Sequence, residues 1–148
     1  MLYVNIEKSI LTKEGHSKLE IHLKLKQNEW ILLAGESGSG KTTIIRLLSG
    51  LINPDQGIIE FGSEIWHDSI KKINLPIQNR RIGLVFQEEN LFPNMSVEQN
   101  LKYAIQDKDN LPKMNEYLKI MEIEKLIDQK PGNLSGGQKQ RVAICRAL

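Results

Sequence analysis

Apolar residues recur along the chain with a period near two in its first part and near 3.6 in its last. Leu2 to Ile6 and Lys18 to Leu25 alternate apolar and polar positions, the second at Leu19, Ile21, Leu23 and Leu25, which predicts two half-exposed strands with Gly15-His16-Ser17 between them. Trp30 to Ala34 is a short continuous apolar run and predicts a third strand. Ile44, Ile45, Leu47 and Leu48 are spaced helically, giving a helix from about Lys41 that stops at Gly50. Asn53-Pro54-Asp55-Gln56-Gly57 is a strong turn signal, and Ile58 to Phe61 follows as a strand bounded by Gly62. Residues 63–79 are irregular and polar around Trp66 and Pro76, which predicts a surface excursion. Ile82-Gly83-Leu84-Val85-Phe86 is apolar throughout and suits a buried parallel strand that ends at Gln87.

From Ser96 the pattern turns helical. Ser96 and Gln99 are spaced as a capping box ahead of Val97, Leu101 and Ile105, and further helical segments run from Met114 to Met121 and from Ile123 to Ile127. Met114, Tyr117 and Met121 fall on core positions by their spacing. Pro131 and Gly132 close that region. Ser135 and Gln138 form a second capping box opening a helix that buries Val142, Ala143, Ile144, Ala147 and Leu148 and leaves Lys139, Gln140 and Arg141 solvated. The change from strands to helices places a subdomain boundary near Leu91, with segments 1–90, 91–133 and 134–148.

Composition narrows the class without naming a function. The chain has 148 residues, 40% hydrophobic and 26% charged, the make-up of one soluble globular domain. A net charge of +2 argues for neither nucleic acid nor an anionic membrane. The basic pairs Lys71-Lys72 and Arg80-Arg81 read as solvated faces. A lone Cys145 excludes an internal disulfide. No apolar run approaches the ~20 residues that span a bilayer, so any membrane connection is expected through a partner. His16, His22 and His67 lack metal-ligand spacing and read as surface or edge residues.

The chemistry concentrates in Gly35-Glu36-Ser37-Gly38-Ser39-Gly40-Lys41-Thr42-Thr43, which satisfies G-x-x-x-x-G-K-[ST] between an apolar run and a helical pattern. The glycines let successive N–H groups face phosphate oxygens without a Cβ in the way. Lys41 brings a mobile charge for the β and γ phosphates, Thr42 a hydroxyl ligand for Mg²⁺, and the helix its positive end. A glycine-rich turn that binds nothing is the bland alternative. Gln87, beyond the carboxyl end of its strand, is placed to ligate Mg²⁺ or hold an attacking water; on spacing alone an ordinary surface glutamine fits equally. Ser135-Gly136-Gly137-Gln138 exposes bare N–H groups and makes a second anion site, or a merely well-capped helix.

A Walker A loop, a glutamine after an apolar strand, and Leu134-Ser135-Gly136-Gly137-Gln138 ahead of Gln140-Arg141 occur here in the order found in the nucleotide-binding subunits of ABC transporters. The chain resembles that family over nearly its whole length. Arg80 to Gln87, Asn90-Leu91-Phe92-Pro93 and Ser96-Val97 look like the importer ATPases of the molybdate, sulfate and sugar group, and the short N-terminus with Ile65-Trp66 looks most like molybdate-type subunits. The resemblance implies an α/β P-loop NTPase (RecA-like) core with an N-terminal antiparallel β subdomain and an α-helical subdomain, incomplete at the C-terminus. It implies catalytic roles for Lys41 and Gln87. It implies that ATP is contacted by Gly35, Glu36, Ser37, Gly38, Ser39, Gly40, Lys41, Thr42 and Thr43, and across a head-to-tail homodimer by Ser135, Gly136, Gly137 and Gln138, and that Mg²⁺ is held by Thr42 and Gln87. It implies a membrane permease docked near Gln87 to Asn100, a solute-binding protein reached indirectly, no nucleic acid, and a place on the cytoplasmic face of the membrane.

Two departures stand out. The family's Walker B strand, with an Asp for Mg²⁺ and a Glu that polarises water, and a switch histidine are expected beyond the signature helix, whereas this sequence stops at Leu148. The family usually stacks adenine on an aromatic between the first two strands, where this sequence has only His16, Tyr3 being too early. Other functions that fit the residues are a nucleotide-binding module without hydrolysis and a soluble, non-transport ABC ATPase.

Overall fold

The computed structural model describes residues 1–12, 15–87, 91–105 and 111–148, which form two compact units, Met1–Arg81 and Ile82–Leu148.

The first unit is built on an antiparallel sheet. Strand β1 (Leu2–Thr12) pairs with β2 (Gly15–Leu25) from Leu2↔Leu25 to Thr12↔Gly15, and on its other side with β3 (Gln56–Phe61). Beyond β3 lie β4 (Glu64–Asp68) and β5 (Ile73–Asn74), giving the order β2-β1-β3-β4-β5. The alternation works as the sequence requires. Val4 and Ile6 are fully buried, and Ile21 and Ile59 join them from the flanking strands; Val4 stands opposite Leu23 and Ile59, Ile6 opposite Ile21. Each such aliphatic contributes about 1.5–3 kcal/mol on burial. The turn before β3 is pinned by Asp55, whose amide donates to Glu7 O and whose carboxylate accepts from Lys8 Nζ at 2.6 Å and Ser9 N at 2.8 Å. Lys8 holds that carboxyl below the usual carboxylate range.

Several expectations change. Gly15-His16-Ser17 lies inside β2, because the hairpin ladder continues to its tip. Residues 63–79 are not an excursion: β4, β5 and a 3-10 turn at Ile77–Asn79 occupy them. Trp66 is buried there, its ring 4.9 Å from that of Phe61. His67 is only 7% exposed, and neither ring nitrogen makes a well-formed hydrogen bond; burial, above the opposing pulls of its neighbours, lowers its pKa below the usual histidine value. Arg80 is 4% exposed rather than solvated.

Neither of the two continuous apolar runs that predicted a strand is one. Trp30 to Ala34 joins no ladder, with Trp30 87% and Leu32 77% exposed, and Ile82 to Phe86 is likewise unpaired. A strand is defined by its neighbours' N–H and C=O groups, and a doubly buried run needs them on both edges; among the described residues every strand pairing is antiparallel.

Helix α1 (Lys41–Ser49) completes the first unit. The second unit holds α2 (Val97–Ala104), α3 (Leu111–Ile120) and α4 (Gly136–Ala147). Val97, Leu101, Leu118, Ile123, Leu134, Val142 and Cys145 form its core, with Met114, Tyr117 and Met121 packed against it as their spacing predicts. Burial pushes the Cys145 thiol up, so it behaves as an apolar residue. Asn100, fully buried, holds the turn before α2: Phe92 N donates to its Oδ1 at 2.8 Å, and its Nδ2 faces Phe92 O, Met95 O and Ser96 O at 3.0–3.2 Å. Arg141 is half-buried and donates to Met121 O at 2.9 Å, so it is not merely solvated.

Candidate functional site

The phosphate-loop residues lie in the first unit, at the N-terminus of α1. Three glycines take backbone conformations that a side chain disfavours: Gly35 has φ 155°, Gly38 φ 87° and Gly40 φ 88°. Between the last two the amide of Ser39 donates to Glu36 O at 3.2 Å, closing a tight turn. Gly40 is the N-cap and provides no side-chain cap, and no acid stands in the first turn. The first intrahelical bond runs from Ile44 N to Gly40 O, so the N–H groups of Lys41, Thr42 and Thr43 have no partner inside the helix and point out of its positive end.

Lys41 folds back over the loop. Its ammonium donates to Glu36 O at 2.6 Å, Gly35 O at 2.8 Å and Ser39 Oγ at 3.4 Å. Those bonds hold the charge against the loop that leads into α1. Glu36, Ser37 and Ser39 are exposed, as is Thr42, while Thr43 is half-buried. The cluster of unpaired amides and an ammonium has the chemistry that suits phosphate oxygens, and the exposed Thr42 hydroxyl is an oxygen of the kind a hard cation takes.

The second cluster lies in the other unit, where the capping box forms as its spacing predicts. Ser135 N donates to Gln138 Oε1 at 2.8 Å and Gln138 N to Ser135 Oγ at 3.3 Å. The hydroxyl, accepting there, keeps its hydrogen for an outside acceptor. Gly136 and Gly137 are exposed, and buried Leu134 fixes the entry of α4. Gln87 also belongs to this unit and is exposed, following the unpaired run Ile82 to Phe86. The candidate residues therefore divide into the loop Gly35 to Thr43 in one unit and Gln87 with Ser135 to Gln138 in the other. His16 is exposed on β2.

Sequence reasoning missed Arg80. Its Nε donates to Leu75 O at 3.0 Å, Nη1 to Leu48 O at 3.1 Å, and Nη2 to Trp66 O at 3.2 Å and Asn74 Oδ1 at 3.5 Å, with the Trp66 ring 5.5 Å away. A basic pair carries no mark that one member is internal; only Trp66 nearby in the sequence hinted at a partner.

Loop, helix and sheet define a protein of the P-loop NTPase class, α/β in type, and likeness to known proteins carries this further. Residues 19–148 match the family described as ABC transporter, and the chain belongs to that family. It is 46% identical over 134 residues to the molybdenum import ATP-binding protein ModC of Vibrio parahaemolyticus, covering 90% of this chain and 36% of that protein. It is 43% identical over 149 residues to ModC of a Shewanella strain, covering 100% of this chain and 39% of that one. The chain thus spans under two fifths of the length of these relatives. Among solved structures, a dimeric bacterial ABC transporter cassette matches with a TM-score of 0.77 at 30% identity, covering 100% of this chain and 69% of that one. A post-hydrolysis state of an ATP-binding cassette, bound to ADP and Pi, matches with a TM-score of 0.76 at 30% identity over the same shares.

Proposed function

We propose that this chain is the nucleotide-binding part of an importer's ATP-binding subunit, and that the imported solute is molybdate. The observation that carries the reading is the uncapped N-terminus of α1, with left-handed Gly38 and Gly40 and the Lys41 ammonium held against the loop that leads into it. Gly35, Glu36, Ser37, Gly38, Ser39, Gly40, Lys41, Thr42 and Thr43 cradle the phosphates, Lys41 reaching the β and γ groups. Thr42 and Gln87 are the residues that would hold Mg²⁺, which would supply positive charge against the phosphates. Ser135, Gly136, Gly137 and Gln138 of a second copy, arranged head to tail, cover the γ-phosphate with their free hydroxyl and amides. That both solved neighbours come from dimer studies supports this arrangement. Because ATP binds the covered form better than the open one, occupancy shifts the population toward closure.

Closure acts on a membrane permease docked near Gln87 to Asn100; a solute-binding protein is reached only through that permease, and nucleic acid has no part. No helix among the described residues is long and apolar enough to cross a membrane, which accords with a subunit held on the cytoplasmic face by its permease. The segments 1–90, 91–133 and 134–148 then serve as phosphate core, permease-facing helices and signature helix. Sedimentation with and without Mg-ATP tests the reading. A dimer that forms only with nucleotide and is lost in Ser135→Arg is expected; a chain that stays monomeric at saturating Mg-ATP would overturn the head-to-tail arrangement.

A further inference from the structure

Helix α1 is buried at one end only. Its buried residues are Leu47 and Ser49, both in the last turn, while the loop that precedes it is exposed from Gly35 to Ser39. A nine-residue helix is too short to hold itself together in water, so its direction depends on what grips the C-terminal turn. Arg80 does this. Its guanidinium collects main-chain oxygens from three places: Leu48 in α1, Trp66 in β4, and Leu75 just after β5.

The fit is specific to arginine. A planar fork of donors can reach oxygens in several directions at once, which an ammonium on a single stem cannot. Leu48 O belongs to the last turn, where the helix leaves carbonyls unpaired and its dipole is negative, so the cation is held by charge as well as by geometry. The chain leaves α1 through Gly50 at φ 82°, and a Cβ there would lie 2.5 Å from the Arg80 Cζ, so the helix end closes directly onto the guanidinium.

We propose that Arg80 is a positioning residue for the nucleotide: by clamping the C-terminal turn of α1 to β4 and β5 it fixes the direction in which the amides of Gly38 to Thr43 face the phosphates. The inference rests on the nucleotide reading above. The helix spans about 13 Å, so Arg80 acts through α1 without touching the ligand, and its effect separates from simple loss of stability.

The test compares Arg80→Lys, which keeps the charge and loses the fork, with Ile59→Val, a mild core change in the same unit. Mg-ATP affinity and amide hydrogen exchange along residues 44–50 are measured at a temperature where all the proteins are folded. Arg80→Lys is expected to bind Mg-ATP roughly tenfold more weakly, within the range by which non-contacting residues modulate a distant site, and to exchange faster along α1. Ile59→Val should change neither. Should Arg80→Lys fail to fold, Asn74→Ala, which removes the 3.5 Å contact to Nη2 together with the side-chain interaction of Asn74 with His67, must show the same pair of effects at about twofold. A folded Arg80→Lys with unchanged affinity, or equal losses in both variants, overturns the positioning role alone. A wild-type chain with protected α1 amides that binds no Mg-ATP overturns the nucleotide reading and this inference with it.

Discussion

Replacing Asn100 by alanine should cost the chain about 2–3 kcal/mol of stability. The side chain is fully buried and faces four main-chain atoms: Phe92 N, Phe92 O, Met95 O and Ser96 O. An amide has two hydrogens, so its three acceptors share two bonds, and with the bond from Phe92 N the side chain supplies the equivalent of three. At about 1 kcal/mol net each that sums to roughly 3 kcal/mol. Phe92 is 37% exposed, so water replaces part of the loss there and lowers the figure. Urea unfolding of wild type and Asn100→Ala at neutral pH reads the difference directly, and a fall in Tm of roughly 5–10 °C should accompany it. Asn100→Asp sharpens the test. It keeps an acceptor for Phe92 N but sets a carboxylate against three carbonyl oxygens, so it should be worse than alanine at pH 7 and recover as the pH is lowered. A loss below about 0.5 kcal/mol for alanine, or an aspartate variant that is harmless at neutral pH, would refute the reasoning.

Three further outcomes follow from the same geometry. His67 is buried with its pKa lowered, so the unfolded chain binds the proton more readily; stability should be complete above a pH of about 6.5 and decline as the pH falls below it, and His67→Leu should flatten that decline in urea melts across this window. Gly50→Ala forces a side chain into the left-handed region and against Arg80, and should cost about 2 kcal/mol or more by thermal melting. Ser135→Ala removes the acceptor for Gln138 N and should cost about 1 kcal/mol, a loss that Ser135→Asp restores.

What the sequence revealed, and what it hid, follows the range of the interactions. Both capping boxes were legible because partner and donor stand three residues apart, so Ser96 with Gln99 and Ser135 with Gln138 could be paired without knowing the fold. Parts of β1 and β2 were legible as strands from their alternation at Leu2 to Ile6 and Lys18 to Leu25, and the phosphate loop from glycines whose φ values only glycine tolerates with ease. Arg80 was not, because its partners are carbonyl oxygens, which every residue has; nothing in Arg80-Arg81 distinguishes the buried cation from the exposed one. Asn100 was hidden for the same reason. Trp30 to Ala34 and Ile82 to Phe86 have the composition of central strands, yet composition supplies no neighbour, and neither run is paired. Residues 63–79 hid β4 and β5 because Glu64, His67 and Asp68 interrupt the apolar pattern, although His67 and Asp68 are buried beside Trp66.

In the function proposed above, the loop from Gly35 to Thr43 receives a triphosphate and Lys41 supplies charge to it. Titration calorimetry of the folded chain with Mg-ATP, against Lys41→Ala, tests this most directly. An ammonium about 4 Å from one phosphate charge gains about 4 kcal/mol at an effective dielectric constant of about 20. Giving up its bonds to Gly35 O and Glu36 O returns part of that, leaving about 2 kcal/mol, or roughly a thirtyfold loss of affinity on substitution. Saturable heat with wild type and about thirtyfold weaker binding by Lys41→Ala is the result expected; no heat of association from well-folded protein, or equal affinity in the two, would contradict it.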